Sequence, residues 1–282
     1  MPPRLLILTG LPRSGTTLCC HLLNQAPDTV ALFEPMDVLA LPAQDRAAAV
    51  AAIGEHAERA RRTLLETGRA TTFHADGQVP DNPAGDTVGR QRTWRVSRGE
   101  VGFDKALGPD FTLAIKHNAA FTALLPELCA LGPCLGVVRN PLAVLASWNS
   151  LDLPVSRGHV PAGERLDPAL ADALAAEPVL FERQRLVLEW FVGRFLDHLG
   201  PDRLVRYETL VQDPGAELFA RTGLATAPAT ALGNRNTNAD YPRGLIDELA
   251  GHLVNRPGRW RELYDEQEVR DLARRLQADR AP

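Results

Sequence analysis

Short apolar runs alternate with stretches of helical periodicity along most of the chain. Four runs have the length of a buried strand: 5–9 (LLILT), 111–116 (FTLAIK), 134–139 (CLGVVR) and 203–207 (RLVRY). Apolar residues at helical spacing follow these runs, at 18–23, 119–130, 142–150 and 208–222, and the amphipathic segment 181–199 predicts a long helix. Strands that alternate with helices indicate an α/β protein of three layers, in which helices cover both faces of a central parallel sheet.

Three stretches depart from this alternation. Residues 45–67 are rich in Ala, Arg and Glu and predict one or two surface helices. Residues 74–110 hold many Gly, Pro and Asp, which predicts an irregular insertion with a short helix or hairpin around Trp94. Such an insertion is either a binding loop or a plain surface excursion. Residues 152–180 are interrupted by Pro and Gly, and the tail from 242 onward predicts helices with a break at the sequence NRPG.

The first strand leads into a loop that is suited to binding an anion. Residues 10–17 read GLPRSGTT, and Gly10 and Gly15 have the spacing of a phosphate-binding loop between a strand and a helix. The loop amides and the N-terminus of the following helix point at one spot, where the helix dipole favours negative charge. Thr16 occupies the position at which such loops usually carry a lysine, and the cation is Arg13, inside the loop.

Composition narrows the classes of protein. The 282 residues, 45% of them hydrophobic, suit one large α/β domain or two small ones. A net charge of −4 gives no case for binding nucleic acid or an anionic membrane, and no run reaches the roughly 18 apolar residues of a membrane span. Neither the four cysteines nor the histidines have metal-ligand spacing, so we expect no metal. Buried reduced thiols and an N-terminus without a signal peptide predict a cytoplasmic protein.

Polar side chains follow the predicted strands at one edge of the sheet. Arg13, Lys116, Arg139 and Tyr207 each lie at or just after the carboxyl end of a strand, where open α/β sheets bind their ligands. Arg139 offers a planar fork that matches phosphate oxygens, and Ser147 lies on the helix that follows it. With the first loop, they predict two anion sites that hold one ligand with two phosphates.

These motifs resemble those of the sulfotransferase family. LPRSGTT (11–17) is similar to the family's loop for the 5′-phosphosulfate of 3′-phosphoadenosine 5′-phosphosulfate (PAPS), and VVRNPLAVLASW (137–148) to its segment for the 3′-phosphate. VRYETLVQDP (205–214) resembles the family's next landmark, and NRPGRW (255–260) resembles an altered form of the loop that closes over the nucleotide. The four matches come in family order and cover most of the chain.

The resemblance implies a P-loop NTPase-like fold and a single sulfotransferase domain over 1–282, with variable acceptor-site insertions near 35–110 and 151–180. It also implies a bacterial, PAPS-dependent enzyme that releases PAP (adenosine 3′,5′-bisphosphate) and needs no metal. The cofactor-binding residues would be Pro12, Arg13, Ser14, Gly15, Thr16, Thr17, Arg139, Ser147, Tyr207 and Arg256. Arg13 and Lys116 would be catalytic, because they would neutralise charge on the bridging oxygen and the sulfuryl oxygens.

Two residues are candidates for the base that takes the acceptor's proton. Glu34 lies just past the first helix, at a distance from Arg13 similar to that of the catalytic glutamate in tyrosylprotein sulfotransferases. Cytosolic sulfotransferases carry a Lys-x-His pattern instead. Here His117 directly follows Lys116, and neighbouring side chains of a strand point to opposite faces. The sequence therefore favours Glu34 and keeps His117 as the alternative.

Two other functions stay open at this stage. An ATP-dependent P-loop kinase is disfavoured because Thr16 replaces the lysine that contacts the β- and γ-phosphates. A non-catalytic nucleotide-binding protein on the same fold is disfavoured because Arg13, Lys116 and Glu34 are all present. The acceptor, a small molecule or a peptide with a hydroxyl or amine, and the oligomeric state do not follow from the sequence.

Overall fold

A computed structural model describes residues 4–88, 91–225, 231–238 and 241–278. Its strands are β1 (Leu5–Gly10), β2 (Thr29–Phe33), β3 (Arg69–His74), β4 (Ala84–Val88), β5 (Gln91–Trp94), β6 (Ser97–Gly102), β7 (Thr112–Lys116), β8 (Cys134–Val138) and β9 (Leu204–Arg206). Its α-helices are α1 (Thr16–Leu23), α2 (Arg46–Thr67), α3 (Ala119–Ala123), α4 (Leu125–Leu128), α5 (Pro141–Trp148), α6 (Pro161–Leu166), α7 (Pro168–Ala176), α8 (Leu180–His198), α9 (Tyr207–Gln212), α10 (Ala216–Thr222), α11 (Ile246–Asn255) and α12 (Glu266–Ala278). Short 3-10 turns lie at Val38–Ala40, Pro154–Arg157, Pro201–Arg203, Arg243–Leu245 and Arg259–Glu262.

Five parallel strands form the central sheet in the order β2-β7-β1-β8-β9. The first strand of the chain lies in the middle: Leu6 of β1 is in register with Ala114 of β7, and Leu8 with Leu135 of β8. All five carboxyl ends therefore meet at one edge, on both sides of the point where the chain changes direction across the sheet. This arrangement confirms the predicted α/β fold class with a central parallel sheet.

Two apolar cores lie on opposite faces of the sheet. Leu6 and Leu8 of β1 pack into the core that includes residues of α1, α9 and α10, whereas Ile7 packs into the core that includes residues of α2, α3, α5, α8, α11 and α12. Neighbouring side chains of a strand point to opposite faces, so a continuous apolar run indicates a strand that is covered on both sides. None of the described helices is both long and apolar enough to cross a bilayer.

The irregular insertion has more structure than the sequence indicates. The hairpin predicted around Trp94 is present as β4 and β5, but β3 and β6 also pair as a separate antiparallel sheet. Val101 is the one buried residue of β6, so the strand lacks the alternating apolar pattern that would have identified it. The stretch 152–180 likewise contains α6 and α7, each of which begins at a proline.

Candidate functional site

One side chain or loop from each of the five carboxyl ends lines a single cavity of about 310 Å³. Glu34 follows β2, Lys116 ends β7, the loop with Arg13 follows β1, Arg139 follows β8, and Tyr207 follows β9. The sequence predicts this convergence for four of these positions. The fifth, Glu34, arrives because β2 pairs with β7 and its ladder continues one step, with the Glu34 amide donating to the carbonyl of Lys116 at 2.9 Å.

The anion-binding loop is held by hydrogen bonds that turn its carbonyls toward the protein. The indole Nε1 of Trp148 donates to the carbonyl of Pro12 at 2.8 Å, and Nη1 of Arg139 donates to that of Arg13 at 2.8 Å. Ser14 is fully buried, and its hydroxyl donates to the carbonyl of Val137 at 2.9 Å. The amides at the start of α1 have no helical partner, as in any helix, and the dipole of α1 favours an anion at that end.

Backbone conformation shapes this loop. Gly15 caps α1 with φ +98°, and a Cβ there would lie 2.8 Å from a ring carbon of Tyr207. Arg13 and Glu34 also have positive φ, at 72° and 48°. A side chain in this left-handed region costs about 1–2 kcal/mol, and such conformations cluster at functional sites. Of the four described non-glycine residues with positive φ, Arg13 and Glu34 line the cavity, whereas Asp28 and Asp76 are absent from its described lining.

Lys116 and Glu34 both line the cavity and form an ion pair. The Nζ of Lys116 lies 2.7 Å from Oε1 of Glu34 and 4.5 Å from the ring centre of Phe33. The Lys116 side chain is 3% exposed and that of Glu34 is 33% exposed. Burial by itself raises the pKa of Glu34, but the charge and hydrogen bond of Lys116, together with the neighbouring His117, outweigh burial and hold this pKa below its usual range. Glu34 is therefore an ionised carboxylate at neutral pH, able to accept a proton.

His117 also lines the cavity and is nearly fully buried. Burial lowers its pKa to about 3, so the imidazole is neutral at physiological pH. Its Nε2 is buried without a hydrogen-bond partner, and its ring packs against Phe121 with centroids 5.0 Å apart. The pKa of Glu34 is lowered as well, so what favours Glu34 for proton transfer is access: its side chain is 33% exposed, whereas His117 is 3% exposed.

Arg139 lies in the cavity, and most of its hydrogen-bonding capacity is already used. Besides the bond to the loop carbonyl, its Nε donates to Asn236 at 2.7 Å, and its Nη2 donates to the carbonyl of Arg235 at 2.7 Å and to the hydroxyl of Tyr241 at 2.9 Å. These four bonds engage four of the five N–H groups of a guanidinium. Its Cζ also lies 4.3 Å above the ring of Tyr207.

The two anion sites expected from the sequence are joined in the structure. Ser147 accepts a hydrogen bond from Nε of Arg13 at 3.3 Å, so the serine expected to act with Arg139 is bonded to the loop arginine. Pro12, Gly15, Thr16 and Thr17 line the cavity, whereas the Ser14 side chain braces the loop from behind. Arg256 does not join this group: it pairs with Glu182 of α8 at 3.1 Å, and it is absent from the described residues that line the cavity.

The segment 231–238 contributes residues that the sequence analysis missed. Arg235 lines the cavity, its amide donates to the hydroxyl of Tyr207 at 2.9 Å, and its guanidinium pairs with Asp81 at 3.0 Å. Asn82 lies beside that pair and accepts from Nη2 of Arg13 at 3.1 Å. No strand end or motif marks these positions, because the segment has no regular secondary structure and reaches the site through contacts with Arg139.

The geometry defines the class: an α/β protein with a glycine-bounded loop between β1 and α1 and a Lys–Glu ion pair at the carboxyl edge of its sheet. No family model matches the chain. Over 223 residues it is 27% identical to the nodulation protein NoeE of Sinorhizobium fredii (strain NBRC 101917 / NGR234), a match that covers 77% of this chain and 48% of NoeE. The chain thus spans about half the length of that relative.

Among solved structures, the chain is similar to a sulfotransferase from Alicyclobacillus acidocaldarius, with a TM-score of 0.42 and 15% sequence identity over 97% of this chain and 94% of that one. That protein is a sulfotransferase, the family that the sequence motifs of this chain resemble. The activity is a separate question, and it depends on the chemistry of the site.

Proposed function

We propose that this chain is a sulfotransferase, which moves the sulfuryl group of PAPS to a hydroxyl or amine of an acceptor. The observation that carries the proposal is the Lys116–Glu34 pair, with 2.7 Å between Nζ and Oε1, in the same cavity as the anion-binding loop. A buried ammonium and an ionised carboxylate in contact are what sulfuryl transfer needs: a cation for the leaving group and a base for the incoming one.

The residues of the loop fit a nucleotide with phosphate groups. A Cβ on Gly10 would lie 2.5 Å from the Thr16 side chain and 2.7 Å from the Val137 carbonyl, so the backbone turns where no side chain fits. Arg13, Thr16 and Thr17 line the cavity beside the N-terminus of α1. Arg139, Arg235 and the ring of Tyr207 line it further along, and we assign them to the 3′-phosphate and the base of the nucleotide.

In the proposed reaction, PAPS supplies a sulfuryl group on a good phosphate leaving group. The acceptor oxygen forms a bond to sulfur while the bond between sulfur and the bridging phosphate oxygen breaks, and the products are PAP and a sulfate ester. Glu34 takes the proton of the acceptor hydroxyl. Lys116 and Arg13 neutralise the negative charge that collects on the bridging and sulfuryl oxygens in this loose transition state.

The remaining expectations from the sequence are part of this proposal. They are a single sulfotransferase domain over 1–282, a bacterial and cytoplasmic enzyme, a reaction without metal, and acceptor-binding insertions near 35–110 and 151–180. Among the described residues, no group of three or more His, Cys, Asp or Glu side chains could hold a metal ion.

Calorimetric titration with PAP and, separately, with ATP–Mg²⁺ tests the proposal. We expect PAP to bind more tightly, because Thr16 occupies the position of the kinase lysine. The cationic side chains of the cavity lie instead inside the loop, as Arg13, and at strand ends, as Lys116 and Arg139. Tighter binding of ATP–Mg²⁺ would favour a kinase. Binding of PAP without turnover of PAPS against a broad panel of acceptors would favour a non-catalytic nucleotide-binding protein.

A further inference from the structure

The cavity has two parts of different chemistry. The donor part is polar and is held together by hydrogen bonds among the anion-binding loop, Arg139, Tyr207 and Arg235. The second part, which we call the apolar wall, is lined by Val38, Trp94, Leu153, Val155, Val160 and Ala162. The sequence analysis gives this wall no role beyond the variable stretches in which it lies.

Apart from Trp94, the residues of the apolar wall pack against the core that includes α3 and α8, and hydrogen bonds hold two of the segments that carry them. Gln184 of α8 is 1% exposed, and its Nε2 donates to the carbonyl of Ser156 at 3.0 Å, which fixes the turn that carries Val155. Arg165 of α6 donates to the carbonyl of Leu41 at 3.2 Å, which ties α6 to the segment that carries Val38. The wall is therefore a preformed surface.

Charged groups on the second part of the cavity are few and already paired. Apart from the donor part, the Glu34–Lys116 pair, the neutral His117 and Tyr241, whose hydroxyl bonds to Arg139 and Arg235, the described ionisable residues of the lining are Asp81 and His159. Asp81 pairs with Arg235 at 3.0 Å, and Nδ1 of His159 lies 3.2 Å from Glu164. A charged group on the body of an acceptor would lose water there without gaining a counter-ion, which is costly.

Trp94 adds an aromatic surface to the wall. It is 44% exposed, at the end of the β4–β5 hairpin, and it lines the cavity. An indole in this position offers a flat apolar face to a ligand, and aromatic side chains contribute strongly to the binding of apolar bodies.

We propose that the acceptor is a neutral molecule whose hydroxyl sits on an apolar, preferably aromatic, body, and that this body binds against the apolar wall with its hydroxyl at Glu34. The inference rests on the proposed function, because it names the substrate class of the same site. Val38 is a specificity-determining residue of this surface. A sugar or a charged peptide held against this wall would lose water without gaining hydrogen bonds or counter-ions from the aliphatic side chains that line it.

The test uses four acceptors with PAPS as donor: 2-naphthol, 6-hydroxy-2-naphthoate, N-acetylglucosamine and an acidic tyrosine peptide. We expect kcat/KM for 2-naphthol to exceed that for each of the others by about tenfold or more. The naphthoate has the same ring system plus one carboxylate, so its ratio to naphthol isolates the cost of a charge on the wall. A higher kcat/KM for the naphthoate, the sugar or the peptide would overturn the inference.

Two neighbouring substitutions provide the matched control. Val38→Lys places an ammonium on the wall, whereas Leu39→Lys places one on the adjacent residue, which is 52% exposed and absent from the described lining. We expect Val38→Lys to lower kcat/KM for 2-naphthol about tenfold or more and to narrow the naphthol-to-naphthoate ratio. Leu39→Lys should change neither, and the dissociation constant of PAP should stay within about twofold in both variants.

A binding measurement separates this inference from the proposed function. The dissociation constant of 2-naphthol is measured without nucleotide, from the change in the intrinsic fluorescence of naphthol. Naphthol binding that weakens in Val38→Lys but not in Leu39→Lys supports the apolar wall even if PAP fails to bind, in which case the proposed function alone falls. If PAP binds and the affinity for 2-naphthol is the same in Val38→Lys as in the wild type, the inference of an apolar acceptor is wrong. The proposed function is then unaffected.

Discussion

Replacing Glu34 by glutamine removes the proposed base while keeping its shape. The variant Glu34→Gln retains an oxygen that accepts a hydrogen bond from Nζ of Lys116, but it removes the negative charge 2.7 Å from that ammonium. General-base losses are about 10²–10⁴-fold, which corresponds to about 2.7–5.4 kcal/mol of activation free energy. We therefore expect kcat for sulfuryl transfer to fall by that factor.

The same substitution has a defined effect on stability. The Lys116 side chain is 3% exposed, so an ammonium without its carboxylate is a buried charge that has lost its partner. Because glutamine still accepts the hydrogen bond, we expect the free energy of unfolding to fall by about 1–3 kcal/mol. Lys116→Met removes the charge itself, and Glu34 keeps access to water, so we expect a smaller loss of stability together with an equally inactive enzyme.

The assay measures PAP release with 2-naphthol as acceptor, the dissociation constant of PAP, and urea unfolding. The surface change Glu66→Gln serves as the control, because Glu66 is exposed and absent from the described lining. We expect PAP affinity within about threefold of wild type in Glu34→Gln, since the carboxylate is not part of the phosphate site. Full turnover in this variant would refute Glu34 as the base and turn attention to His117.

Three further predictions follow from the geometry. In the pH profile of kcat, activity should fall on the acid side only below pH 4.5, because the lowered pKa of Glu34 keeps its carboxylate ionised above that value. A fall centred near pH 6.5 would contradict the assignment of either Glu34 or a His117 of pKa about 3 as the base. Gly15→Ala should weaken PAP binding at least about tenfold, since φ is +98° and the new Cβ would lie 2.8 Å from Tyr207, and unchanged calorimetric affinity would contradict this. Arg139→Ala should weaken PAP binding by about 1.5–3 kcal/mol. It should also lower the unfolding temperature, because this guanidinium donates four hydrogen bonds within the protein. If neither PAP affinity nor the unfolding temperature falls, Arg139 is not part of the site.

The sequence predicts the elements that carry the site because their signals are local. A continuous apolar run followed by GLPRSGTT defines β1, its loop and the start of α1, and the structure has them at Leu5–Gly10 and Thr16–Leu23. The carboxyl ends of parallel strands meet at one edge, so Lys116, Arg139 and Tyr207 come together without knowledge of side-chain packing.

The rest of the site depends on contacts between distant segments, which leave no local pattern. Arg235 enters through hydrogen bonds to Arg139 and Tyr207, and its neighbours in sequence show no periodicity. Arg256 illustrates the opposite case: a cation within a family-like motif pairs with Glu182 instead of reaching the cavity. The apolar wall is likewise assembled from four separate stretches, and only tertiary packing brings them to one surface.

The most direct measurement of the central claim is a crystal structure of the protein with PAP bound. The account predicts that the 5′-phosphate lies on the amides at the start of α1, beside Arg13 and Lys116, with the Glu34 carboxylate facing the open space next to that phosphate. The 3′-phosphate should lie near Arg139 and Arg235. A nucleotide bound outside this cavity, or one whose 5′-phosphate points away from Lys116 and Glu34, would contradict the account.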